Sequence, residues 1–378
     1  MKHHLKKILN DLPPFVRDFV WQYRVYQALK QAKPLINDPV FFKKRSRTFG
    51  LEVRDYWNKH LGVEVNPAWH YIYANYTGEE DVRFVATPEW YSQIHPALNE
   101  PIFYYPTFGD KNFTDLIFDK SLFPDTVFKR IRGCYYDENN RPISEKEAFD
   151  RFYQDETDKI AKPSMSSMGD RILLVNHHNR VLFINNEKSD EYRVSEILGD
   201  NYIVQKKIEQ YPVLSHIHPD SLNTIRLNTL RLHGSIYHLP ALLKIGADGK
   251  VNDNYKGGYV CAVDNNGAVS SIGYNRMLER FENHPTTNIS FRSLKSIPGF
   301  KDIQALCRSL HEQVPHLDFA SWDVAVGKNG RPVIVEVNSK PPVFIKQLIC
   351  RKPFFGDHTE ELLAVIKEKR KRKSDHKV

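Results

Sequence analysis

The stretch Ser321-Trp322-Asp323-Val324-Ala325-Val326, Gly327-Lys328-Asn329-Gly330, Val333-Ile334-Val335-Glu336-Val337-Asn338 decides how this chain is read. Two runs of strand composition flank a turn with Asn-Gly at its heart, the pattern of a β-hairpin. Polar Asp, Glu and Asn stand where a core strand carries valine. Side chains alternate across a strand with period two, so Ile334, Glu336 and Asn338 are expected on one face and Val333, Val335 and Val337 on the other. Folding about the turn centre puts Val326 opposite Arg331 and Asp323 opposite Ile334. Asp323 then shares a face with Glu336 and lies diagonal to it, about 7–8 Å away. Two carboxylates and an amide oxygen on one face suit a hard divalent cation such as Mg²⁺. A one-residue slip would send Asp323 to the opposite face.

The rest of the chain sets bounds on this reading. A length of 378 residues implies two or three structural units. With 41% hydrophobic and 26% charged residues, the composition is that of a soluble globular protein. No apolar run approaches the roughly 18 residues of a membrane helix, and the N-terminus has no signal-peptide core. Four scattered cysteines (Cys134, Cys261, Cys307, Cys350) without a CxxC pair argue against a zinc site and for a reducing cytoplasm. The net charge of +8 is concentrated at the C-terminal end, where residues 367–378 carry seven basic and two acidic side chains, a net +5 that leaves only +3 for the remainder. The plain reading of this tail is a solvated helix end. The sharper one is contact with an anionic membrane surface, which would place the protein at the inner face of the membrane. Nucleic acid is not expected as a partner, because no aromatic-basic module accompanies the tail.

Helices are expected over residues 12–33 and 39–60, giving a helical N-terminal segment over 1–75. Residues 76–125 are rich in proline and aromatics and read as an irregular connecting or substrate segment. From residue 126 the pattern sharpens: a strand at 127–136, a turn at 137–141, and a helix at 144–159 opened by a Ser144-x-x-Glu147 capping box. A hairpin at 171–184, a strand at 202–208, paired strands at 224–231 and 235–245, a further pair at 259–263 and 268–272, and a helix at 303–313 follow. This order is α+β rather than regular βαβ alternation.

Several other positions carry chemical potential. Lys162 ends a strand before Pro163 and precedes the small-residue loop Ser164-Met165-Ser166-Ser167-Met168-Gly169, a plausible phosphate clamp or a plain exposed loop. The strand 202–208 ends at an edge that could offer backbone groups to a purine, though a core strand is the simpler account. His216 and His218 invite a metal-hydrolase reading, but further ligands have no obvious source. Arg226 shares a strand face with Thr224 and Asn228, where a fixed guanidinium suits a phosphate or carboxylate. Lys244 interrupts an apolar strand in the same way. Asn254-x-x-Gly257-Gly258 permits close backbone approach to a ligand, or forms an ordinary turn.

Taken in order, these motifs resemble the ATP-grasp superfamily, and within it the sugar-transfer-associated branch found with polysaccharide biosynthesis. The resemblance rests on His218-Pro219-Asp220-Ser221-Leu222-Asn223-Thr224-Ile225-Arg226, Asn254-x-x-Gly257-Gly258, Trp322-Asp323-Val324-Ala325 and Glu336-Val337-Asn338-Ser339-Lys340-Pro341, and covers about residues 115–350. It implies an ATP-grasp core over 126–350, in which two α+β lobes with antiparallel sheets grip ATP, with a C-terminal helix and basic tail over 351–378. It also implies Lys162, Ser166, Ser167 and Gly169 around the ATP phosphates, Gln205 and Lys207 at adenine, Asn254, Gly257 and Gly258 near the nucleotide, Arg226 at the γ-phosphate or the transferred group, and Asp323, Glu336 and Asn338 around two Mg²⁺ between the β- and γ-phosphates. Lys244 stands where the family pattern has arginine. Ser321 replaces a usual glycine, and the loop after Lys162 is poorer in glycine than usual.

The activity so implied is an ATP-dependent carboxylate–amine ligase that works through an acyl phosphate on a sugar acid or amino acid. Its partners would be small-molecule or sugar-linked carboxylates and amines. The rivals are an ATP-dependent sugar kinase with the same ATP grip, and a non-catalytic nucleotide-binding scaffold of a polysaccharide-synthesis complex.

Overall fold

The computed structural model describes residues 46–99, 105–165, 171–248 and 257–375. The expected helix over 12–33 and the start of the one over 39–60 lie outside these residues. In chain order the elements are α1 (Arg47–Leu61), α2 (Ala68–Thr77), a series of short helical turns between Thr87 and Leu122, β1 (Thr126–Ile131), β2 (Cys134–Tyr136), β3 (Pro142–Ile143), α3 (Glu145–Phe152), β4 (Lys159–Pro163), β5 (Leu173–His178), β6 (Val181–Ile184), β7 (Glu187–Lys188), α4 (Glu191–Leu198), β8 (Tyr202–Lys206), α5 (Pro212–Ile217), β9 (Thr224–Leu232), β10 (Ser235–Ile245), β11 (Tyr259–Val263), β12 (Gly273–Tyr274), β13 (Arg280–Phe281), α6 (Phe300–Glu312), β14 (Phe319–Val326), β15 (Pro332–Asn338), α7 (Phe344–Cys350) and α8 (Thr359–Asp375). They fall into two compact units, one of residues 1–97 with 343–378 and one of residues 98–342.

In the first unit α8 packs on α1. Gln347 of α7 ties the unit together: its Oε1 accepts from Val85 N (2.8 Å), and its Nε2 donates to Val85 O and Tyr73 Oη (2.9 Å each). α1 opens at Ser46, whose hydroxyl accepts from Phe49 N, and closes at Gly62 in the left-handed region (φ 71°), each cap satisfying end groups that the helix leaves unpaired.

The second unit holds two wholly antiparallel sheets. The first has eight strands in the order β3-β2-β1-β8-β4-β5-β6-β7. Its core joins Phe128, Ala161, Val175, Tyr202 and Val204 to Phe149 and Phe152 of α3 and to Val194 and Leu198 of α4. The capping box at Ser144 is present, but α3 stops at Phe152, and Lys159 already belongs to β4. The single strand expected over 127–136 is two, because Arg132 (φ 52°) and Gly133 (φ 83°) turn the chain between β1 and β2.

The second sheet has seven strands in the order β13-β12-β11-β10-β9-β14-β15. One face packs against α6: Ile225, Leu227, Leu243, Ile245, Trp322, Val324, Ile334 and Val337 meet Phe300, Ile303, Cys307 and Leu310. The strand expected at 268–272 does not form, and that stretch makes only isolated bridges, Val263 with Val269 and Ala268 with Ser296.

The hairpin register departs from the sequence reading. The loop is one residue longer, so Val326 pairs with Pro332 rather than Arg331. Pairing then runs Ala325–Val333 and Val324–Ile334, breaks, and resumes as Asp323–Glu336, Trp322–Val337 and Ser321–Asn338. Val335 is the extra residue of a β-bulge. The core explains it. Ile334 (0% exposed) and Val337 (1%) both face α6 although three residues apart, which strict alternation forbids. Asp323 and Glu336 therefore do share a face, but directly opposite one another rather than on a diagonal.

Candidate functional site

The face of the seven-stranded sheet opposite α6 is polar, and strand pairing arranges it in rows. Arg226 on β9 lies opposite Asp323 on β14, and Asp323 lies opposite Glu336 on β15. One row along, Asn228, Ser321 and Asn338 align in the same way. On the other side Lys244 of β10 pairs with Thr224. The Arg226 guanidinium grips Asp323 with both arms, Nε to Oδ1 at 2.6 Å and Nη2 to Oδ2 at 2.5 Å. Lys244 Nζ stands 3.5 Å from Oδ2. Asp323 is buried, so these charge-assisted bonds form where water does not weaken them.

Two lysines reach this face from the other sheet's side. Lys162 ends β4 and is 7% exposed. Burial, and secondly the positive charge of Lys111, lower its pKa to about 7 against a smaller opposing pull from Glu336. Lys111 belongs to the segment that precedes β1. Its N–H donates to Ser164 O (3.0 Å), just past Lys162, and its Nζ lies 3.4 Å from Glu336 Oε1. The segment is anchored by Lys129 of β1, fully buried, whose ammonium donates to Asn112 O (3.2 Å), Asp115 Oδ2 (2.5 Å) and Asn140 Oδ1 (2.8 Å). Asn112 Nδ2 in turn donates to Arg130 O (3.2 Å). Asn99 fixes the far end of the hairpin with four main-chain bonds, to the N–H groups of Asp318 and Phe319 and the carbonyls of Phe319 and Ser339.

The donor set fits Mg²⁺. Carboxylate and amide oxygens are the ligands a hard cation selects. Beside them Ser321 Oγ and Asn338 Nδ2 are buried with no hydrogen-bond partner among the described residues, as expected where polar groups await a ligand. Among the described residues no group of three or more His, Cys, Asp or Glu side chains is placed to hold a metal, so a cation here would rest on two carboxylates, an amide and oxygens brought by another molecule. Four basic side chains (Lys111, Lys162, Arg226, Lys244) surround two carboxylates (Asp323, Glu336), a surplus of two positive charges when Lys162 is protonated. Such a site attracts a polyanion.

Gln205 is buried on β8 and donates to Pro124 O (3.2 Å). Lys207 gives both its N–H and its ammonium to Asp158, at 3.0 and 2.9 Å. Gly257 takes φ 102°, which favours glycine, and Gly258 is buried. Ser166, Ser167, Gly169 and Asn254 lie outside the described residues. His218 Nδ1 bonds Ser221 Oγ (2.8 Å), and its buried Nε2 has no hydrogen-bond partner among the described residues. Lys111 was missed from sequence because its partner Glu336 is 225 residues away and nothing local distinguishes it from a surface lysine.

The sugar-transfer-associated ATP-grasp family matches residues 92–360, and the chain belongs to it. No curated protein shows significant similarity. Similar solved structures include the ATP-grasp ligase PsnB complexed with minimal precursor, Mg and ADP (13% identity, TM-score 0.39, 71% of this chain and 62% of that one). They also include the L-amino acid ligase from Bacillus licheniformis (12%, 0.37, 68% and 48%) and the D-alanine-D-alanine ligase from Coxiella burnetii (10%, 0.38, 72% and 61%). The chain thus spans less than two thirds of the length of each.

Proposed function

We propose that this protein is an ATP-dependent carboxylate–amine ligase that forms an amide through an acyl phosphate, acting on a sugar acid or amino acid in surface-polysaccharide biosynthesis. The observation that carries this is the meeting of Lys162 and Lys111 from one side with the Arg226–Asp323–Glu336 row of the other sheet. ATP phosphates would lie between Lys162, Lys111 and Arg226. Asp323, Glu336 and Asn338 would hold Mg²⁺, which supplies charge neutralisation at the β- and γ-phosphates. A substrate carboxylate oxygen attacks the γ-phosphorus, and the bond to ADP breaks. Arg226 and Lys244 offset the charge that develops on the transferred group. An amine then displaces phosphate from the acyl phosphate, losing its proton as the amide forms.

The sugar setting follows the family's association with sugar transfer, with a uronic acid as acid and an amino acid or amino sugar as amine. The basic end of α8 would place the protein at the cytoplasmic, anionic face of a membrane. Among the described residues no helix is long and apolar enough to cross one.

The test is mass spectrometry of products from ATP with a panel of uronates, amino acids and amines. Amide formation with release of ADP and phosphate, dependent on both substrates, is expected. A stable phosphorylated sugar formed without any amine would make the protein a kinase instead, and ATP binding without turnover across the panel would make it a scaffold.

A further inference from the structure

Both carboxylates of the row lie against basic side chains, Asp323 against Arg226 and Lys244, and Glu336 against Lys111, whose Nζ is 3.4 Å from Oε1. A divalent cation arriving alone would have to displace Lys111 inside a cluster that already carries surplus positive charge. A polyphosphate meets the opposite situation. It is drawn in, and its oxygens compete with Glu336 for the Lys111 ammonium. The backbone suits such an exchange. Lys111 is pinned by its N–H to Ser164 O, and Asn112 is pinned by Lys129 and Arg130. The four-carbon stem is then the part that moves, between Glu336 and the space beside Lys162. The two ammonium groups repel, which is one reason the Lys162 pKa is lowered, and a phosphate between them removes that repulsion.

We propose that Lys111 is an exchange residue that orders binding at this site: it closes Glu336 to free divalent metal and releases it only when phosphate groups take its ammonium, so that the anion enters first and the cation follows. This rests on the ATP site proposed above.

The test uses the full chain and two binding measurements without turnover, Mn²⁺ alone by electron paramagnetic resonance and ATP in excess EDTA by titration calorimetry. Wild type is expected to bind ATP in EDTA and to bind Mn²⁺ alone no better than millimolar. Lys111→Met should bind Mn²⁺ alone at least about tenfold more tightly and lose at least about tenfold in ATP affinity in EDTA. Lys111→Arg should keep the wild-type pattern. A purely structural role for Lys111 would weaken both affinities together. Adding Glu336→Gln to Lys111→Met should abolish the gained Mn²⁺ binding, and its persistence would overturn the proposal. Equal Mn²⁺ affinity in wild type and Lys111→Met, or ATP binding that strictly requires metal, would overturn the order while leaving the ATP site standing. No ATP binding with or without metal would overturn both.

Discussion

Raising the pH from 7 to 8 should weaken nucleotide binding by up to about fivefold, through one residue. Lys162 is buried at the end of β4, and burial, reinforced by the charge of Lys111, brings its pKa from 10.5 to about 7. At pH 7 half the free molecules carry this charge, and at pH 8 about one in ten do. In the proposed site phosphate oxygens beside Lys162 would favour the ammonium, so binding above pH 7 would draw a proton from solution. Each pH unit above 8 then costs about a factor of ten, until the pKa of the bound state is reached.

The same group acts on folding with the opposite sense. An unfolded Lys162 titrates near 10.5 and the folded one near 7, so between these values the unfolded chain binds more protons and stability rises with pH. At pH 7 and below the burden is almost fully present, worth about 4 kcal/mol at pH 7. Lys162→Met should therefore stabilise the free protein at pH 7 while weakening nucleotide binding and abolishing its pH dependence above 7. Calorimetric titration with a non-hydrolysable ATP analogue between pH 6 and 9, in buffers of different ionisation heat, reads affinity and proton uptake together. Thermal denaturation of the variant reads the stability. Affinity that stays flat from pH 6.5 to 8.5 with no proton uptake, or a Lys162→Met protein less stable than wild type at pH 7, would refute the reasoning.

Three further outcomes are expected. Glu336→Ala should lower ATP turnover by about 100-fold or more with the fold intact by circular dichroism, and wild-type-like turnover would sink the metal assignment. Lys129→Met leaves the mostly buried Asp115 without its counter-charge, so chemical denaturation should show a loss of about 3–5 kcal/mol. Asn99→Leu strips four main-chain bonds from the ends of β14 and β15 and should cost about 3 kcal/mol, measured by the same denaturation.

The sequence made the paired strands of the second sheet legible because their signals are local: alternation in β9 and β10, and strand runs around the Asn-Gly turn for β14 and β15. The capping box at Ser144 was legible for the same reason. Where the helix it opens would stop was not, because residues 153–158 carry no strong breaker and it is Lys159, buried among Asp155 and Thr157 oxygens, that commits the chain to β4. The Lys111–Glu336 pair was out of reach on similar grounds, since only tertiary folding brings those two residues together.

In the hairpin two departures from simple counting cancel. Counting from the turn set Asp323 against Ile334. The loop is one residue longer than assumed, which alone would move Asp323 opposite Val335 and put Glu336 on the core face beside Trp322. The bulge at Val335 adds a second one-residue shift. Two odd shifts restore the parity that decides the face, but they change the separation from a diagonal to a direct opposition, where Cβ atoms lie about 4.5–5.5 Å apart. The bulge is imposed by the opposite face of the sheet, where Ile334 and Val337 both gain burial against α6. The distance between the two carboxylates is thus set by hydrophobic packing on the face that touches no ligand, and substitutions at Ile334 or Val337 are expected to reach the site through the register rather than through any contact with it.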